Sequence, residues 1–142
     1  MNDDTQQWLR YADENLRSAQ LLLAHSLFNP CLQNAQQAVE KSLKAALIER
    51  ALPLRRPHSI NELVKILAES GMTIDVTEED RDLLDTIYIP SKYPLGSVLP
   101  NFEPDEDICR RCVDIAARIV GLVRTSIGAA YGDEDNGPCG EK

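Results

Sequence analysis

Apolar side chains recur at three- and four-residue spacing through most of this chain, the period of helices with one buried face, and no stretch alternates convincingly as a strand. Trp8, Ala12, Leu16, Ala19, Leu22, Leu23 and Leu27 trace a first helix over about residues 5–27, with Asp3, Asp4 and Thr5 placing acid or a capping hydroxyl at its positive end. Asn29-Pro30 is expected to break it. A second helix follows over about residues 30–50, Pro30 being tolerated in a first turn where its missing amide has no partner to lose. Its Ala35, Ala38, Val39, Ser42, Leu43, Ala46 and Leu47 form a stripe of small and branched residues that lets a neighbouring helix approach closely. Gln37, Glu40, Lys41 and Lys44 fall on or beside the opposite face and make it a candidate binding surface.

Leu52-Pro53-Leu54-Arg55-Arg56-Pro57 cannot continue a helix and reads as a connector. Ile60, Leu63, Val64 and Leu67 outline a third helix that His58 or Ser59 starts and Gly71 ends. Thr77-Glu78-Glu79-Asp80 carries the capping hydroxyl and first-turn acids of a fourth, whose buried side is Leu83, Leu84, Ile87 and Tyr88. Three prolines make residues 89–100 an irregular loop, expected to be ordered. Residues 103–107 open a fifth helix, in which Ile108, Cys112, Ile115, Ala116, Ile119, Leu122, Val123 and Ile127 repeat until Gly128. The pattern predicts an all-α, antiparallel bundle of about five helices built on the first, second and fifth. Trp8, Leu16, Leu23, Val39, Leu43, Ile115, Ile119 and Val123 are its expected core.

At 142 residues the chain fits one domain, expected over residues 1–128, followed by an acidic tail, 129–142, with too little apolar content to pack alone. No apolar run is long enough to span a membrane, and Met1-Asn2-Asp3-Asp4 is acidic where an export signal is basic, so the expected compartment is the cytoplasm.

The net charge of −8 argues against nonspecific binding of nucleic acid over the whole surface. Charge is uneven, however. Lys41, Lys44, Arg50, Arg55 and Arg56 have only Glu49 as a counter-charge between residues 41 and 56, which leaves open a phosphate or partner site or simply a solvated face and a basic loop. Cys109 and Cys112 form a Cys-x-x-Cys, but Cys31, Cys139, His25 and His58 offer no second metal-like pair, so no metal site is expected and the pair reads as two small residues on a helix. Nor is there a Gly-rich phosphate loop, a nucleophile elbow or a carboxylate-His helix pair, so no cofactor is expected.

Gln36-Gln37-Ala38-Val39-Glu40-Lys41-Ser42-Leu43-Lys44-Ala45, His58 before the next helix, and Tyr88 through Lys92-Tyr93-Pro94 resemble, in order and spacing, the pattern of HEPN domains (higher eukaryotes and prokaryotes nucleotide-binding). The resemblance implies a helical bundle, frequently a homodimer, and in prokaryotes a small nucleotidyltransferase partner made as a separate chain, often in toxin–antitoxin pairs. Many HEPN proteins are metal-independent ribonucleases whose motif is an Arg and a His separated by four to six residues. Here the only histidines, His25 and His58, have no arginine at that spacing, and Lys92 stands where an Arg is common before Tyr-Pro.

The expectation is therefore a noncatalytic binding and interaction module acting with a nucleotidyltransferase chain, with a nucleotide as candidate ligand. Its candidate contact residues are Gln37, Lys41, Lys44, Arg55, Arg56, His58, Tyr88, Lys92 and Tyr93, with no catalytic residue among them. Two alternatives stand beside it: a ribonuclease toxin with an atypical site around His58, Arg55, Arg56 and Lys92, and a dimeric helical scaffold. His58 can equally cap or pack a helix start, and Tyr88 and Tyr93 can equally pin their loop to the bundle through a ring and one hydrogen bond.

Overall fold

The computed structural model describes residues 2–53, 59–88 and 104–131, the side chains of Tyr88 and of residues 129–131 excepted. The expected ordered loop at 89–100, most of the 52–57 connector and most of the acidic tail lie outside the described residues. Five helices make up the rest: α1 (Asp3–Ala24), α2 (Phe28–Glu49), α3 (Ile60–Glu69), α4 (Glu78–Tyr88) and α5 (Glu106–Tyr131). No strand is present among the described residues.

The ends of these helices follow local chemistry, with three departures from expectation. The Asn2 side chain accepts from the Thr5 amide at 2.8 Å and caps α1, so the helix starts before Thr5, whose own side chain is buried. At the other end Ser26 takes φ 59°, and the Leu27 amide donates back to the Leu22 carbonyl at 2.9 Å. This left-handed turn, made without glycine, ends α1 before Asn29-Pro30, which instead lies in the first turn of α2, where a fixed φ suits the helix. The third departure is Gly128, which does not stop α5. The helix runs to Tyr131, past the expected domain boundary, because a glycine without a proline behind it costs a helix only about 1 kcal/mol.

Other ends are as read from the sequence. Ser59 caps α3 by accepting from the Glu62 amide at 3.0 Å, and Thr77 caps α4 by accepting from the Asp80 amide at 3.1 Å. Gly71, at φ 103°, turns the chain after α3.

Because the buried residues of α2, from Ala45 and Ala38 through Leu32 and Leu43 to Leu47, spread over more than half of its circumference, other helices close on it from more than one side. Its principal neighbours are α1 and α5, and α3 and α4 also touch it. Ala35, Ala38, Val39, Ser42, Leu43, Ala45, Ala46 and Leu47 are all fully buried. Cys109 near the start of α5 donates from Sγ to the Phe28 carbonyl at the start of α2, and Arg124 farther along α5 pairs with Asp13 of α1. Hence α5 runs alongside α2 in the same sense and antiparallel to α1.

Five of the eight expected core residues, Val39, Leu43, Ile115, Ile119 and Val123, are buried. Trp8, Leu16 and Leu23 are half-buried and pack against the core, to which α1 contributes Leu9, Ala12 and Ala19 as its fully covered apolar residues. Of these, Ala12 and Ala19 are small enough for α1 to approach the alanines of α2 closely.

Cys31, Cys109 and Cys112 are fully buried where α2 and α5 begin, and no set of ligands suited to a metal occurs among the described residues. Burial pushes the Cys109 and Cys112 thiols up to about 12 and raises that of Cys31 as well. The ordinary value is 9.0. Above that pH the unfolded chain releases thiol protons that the folded chain retains, so stability is intact below pH 9.0 and falls as pH rises toward about 12. A series of thermal melts should show this alkaline decline, and Cys112→Ala should flatten it; an unchanged slope in the variant counts against the thiols as its source.

Candidate functional site

The antiparallel α1–α2 hairpin sets two rows of polar and aromatic side chains against each other. As α1 advances one turn from Trp8 to Tyr11, α2 retreats one turn from Lys44 to Lys41, so the residues meet in pairs. Lys44 Nζ lies 5.7 Å from the centroid of the Trp8 ring, and Lys41 Nζ lies 5.9 Å from that of Tyr11. At these distances the electron-rich ring faces attract the ammonium groups and restrain otherwise mobile side chains.

Hydrogen bonds extend the ladder. Lys41 Nζ donates to Asn15 Oδ1 at 2.9 Å, and Asn15 Nδ2 donates to Asn34 Oδ1 at 2.8 Å. Lys44 pairs with Glu40 at 2.8 Å, and Glu40 also faces the side-chain amides of Gln36 at 3.4 Å and Gln37 at 3.5 Å. Glu40 is only 9% exposed, a burial that a carboxylate tolerates because an ammonium and two amides surround it. Two ammonium groups against one carboxylate leave the ladder net positive on an acidic protein.

Of the residues singled out in the sequence, Gln37, Lys41 and Lys44 are brought together here, all half-buried. The face that carries them is not open along its length: α1 lies against it. Tyr88 is the last residue of α4, and Arg55, Arg56, His58, Lys92 and Tyr93 lie outside the described residues. His25 is exposed at the C-terminal end of α1. Trp8, Tyr11, Asn15 and Asn34 complete the ladder without having been read as site residues. Trp8 looked like core, and the others look like ordinary surface until the register of the hairpin is known.

The HEPN domain profile matches residues 5–126, and the chain belongs to the HEPN family. It is similar to TT1696 of Thermus thermophilus, known from a crystal structure, with 29% identity, a TM-score of 0.71 and coverage of 87% of this chain and 98% of that one. Its fold is also that of an archaeal HEPN homologue, at 21% identity and a TM-score of 0.60 over 89% of this chain and 99% of the other. A HEPN domain protein of Thermotoga maritima has 20% identity and a TM-score of 0.64, with 85% of this chain and 97% of that one covered. No curated protein matches the chain. No helix among the described residues is long and apolar enough to cross a membrane.

Proposed function

We propose that this HEPN protein is a noncatalytic binding module that works with a separately encoded small nucleotidyltransferase, in the manner of toxin–antitoxin pairs, and takes a nucleotide at the α1–α2 ladder. The working unit in this reading is a cytoplasmic homodimer. The observation that carries the proposal is the pairing of Lys41 with Tyr11 and of Lys44 with Trp8. Side chains three apart on a helix sit about 5–6 Å apart at Cβ, close enough for two ammonium groups to hold oxygens of one phosphate chain. Each ammonium spends one N–H within the ladder, on Asn15 or Glu40, and keeps others for a ligand. The rings fix where those donors point and offer aromatic edges to a base.

The noncatalytic half of the proposal rests on the sequence, in which neither His25 nor His58 has the arginine spacing of the family's ribonuclease motif.

Trp8 is the only tryptophan and lies under Lys44, so its fluorescence reports on the site directly. Titration with ATP at low salt should give a saturable change in emission. Lys41→Gln/Lys44→Gln keeps an N–H for Asn15 and Glu40 but removes both charges, and should weaken binding about tenfold or more. The same variant should recover less nucleotidyltransferase from the native host. A flat ATP titration of the wild-type protein counts against the nucleotide site, and undiminished partner recovery by the variant moves the partner surface elsewhere.

A further inference from the structure

A separate cleft of about 410 Å³ lies between the outer side of α3 and the segment that leads into α4. Asn61, Val64, Lys65 and Ala68, at helical spacing, line it from α3. Val64 and Ala68 with Ile74 and Val76 give the cleft an apolar floor, and Arg81 borders it from the first turn of α4.

Arg81 is held in place by an ordered set of bonds. Its Nε donates to Asn61 Oδ1 at 2.7 Å and its Nη1 to the Val76 carbonyl at 2.6 Å. The Asn61 amide is itself fixed, donating from Nδ2 to Asp82 Oδ1 at 2.8 Å and to Asp85 Oδ2 at 3.0 Å. The guanidinium is thus oriented entirely by neutral acceptors, and its Nη2 hydrogens stay uncommitted among the described residues. Lys65, one turn beyond Asn61, makes no hydrogen bond or ion pair with any described residue. The arginines of α5 differ: Arg110 has Glu106, and Arg111 and Arg118 converge on Asp80. In the cleft, two cations stand against the single carboxylate of Asp75, and the surplus is one positive charge.

We propose that this cleft binds a small organic monoanion, a carboxylate carried on a short apolar chain. The carboxylate meets the fixed Arg81 guanidinium, whose planar donors match its geometry, and the Lys65 ammonium. The apolar chain lies on Val64, Ala68, Ile74 and Val76. At the small end of the usual range of ligand-site volumes, the cleft suits a chain of about six carbons rather than a long acyl tail.

Hexanoate titrated into uniformly 15N-labelled protein tests this. The expected result is saturable shifts of amides between residues 61 and 81, with acetate about tenfold weaker because it lacks the chain, and with hexylamine inactive because its charge is reversed. Lys65→Gln, an exposed change that leaves the Arg81 bonds alone, should weaken hexanoate about fivefold while the other amides keep their positions. Equal binding of acetate and hexanoate, a response to hexylamine, unsaturable shifts, shifts centred on the Trp8 indole or unaltered affinity in Lys65→Gln would each overturn the proposal.

Discussion

Leu43→Ala should remove about 2–5 kcal/mol of folding stability, the combined loss of apolar transfer and of contacts around a cavity that the helices cannot close. Leu43 is fully buried on α2, the helix with α1 and α5 as its principal neighbours, so collapse into the space requires more than one packed neighbour to shift. Against a typical total of about 5–15 kcal/mol, that is enough to leave a visible unfolded fraction near physiological temperature. Urea denaturation should show a lower midpoint with an unchanged slope. A cost below about 1 kcal/mol would show that this part of α2 is not closely packed.

Asp85→Ala is expected to cost about 2–3 kcal/mol through a different mechanism, loss of charge-assisted hydrogen bonds at a helix start. Asp85 lies in the last turn of α4, where a carboxylate opposes its own helix dipole, yet it points at the start of α3, where the dipole favours it. Its Oδ1 accepts from the Ile60 amide at 2.5 Å, and Oδ2 accepts from the Asn61 amide at 3.2 Å and the Asn61 side chain at 3.0 Å. Ser59 satisfies the Glu62 amide, so the two residues divide the otherwise unpaired donors of α3 between them. Thermal melting should register the loss, Asp85→Asn should restore part of it, and hydrogen exchange should speed up in α3 and α4 ahead of α1, α2 and α5. Uniform acceleration across all five helices would mean that the α3–α4 pair does not open on its own.

All five helices were legible in the sequence because their apolar residues keep one period over many turns. What escaped was depth of burial and termination. The spacing that put Trp8, Leu16 and Leu23 in the core does not say how deeply each sits: all three pack half-buried against it, and Leu9, Ala12 and Ala19 are covered more fully, which depends on the partner helices. Ser26 could not be singled out as the end of α1, because a left-handed turn at a serine has no signature as strong as Asn-Pro or glycine.

The candidate ladder was half legible. Gln37, Lys41 and Lys44 stood out on α2, but their meaning depends on Trp8, Tyr11 and Asn15, which meet them only through the antiparallel register of the hairpin. Lys65 and Arg81 gave no signal, Arg81 standing directly after acids that read as the first turn of a helix. Only the tertiary fold shows that Arg81 is held by an amide and a carbonyl instead of a neighbouring carboxylate.

The packing of α2 between α1 and α5 also constrains the protein while it is being made. The α1–α2 hairpin is local in sequence and can form early, whereas α5 is translated after α3 and α4. Until Ile115, Ile119 and Val123 leave the ribosome, the flank that α5 will cover remains open to solvent, a period in which the nascent chain is vulnerable to self-association or capture by a chaperone. A premature stop between α4 and α5 therefore yields an adhesive, protease-sensitive fragment rather than a smaller working domain.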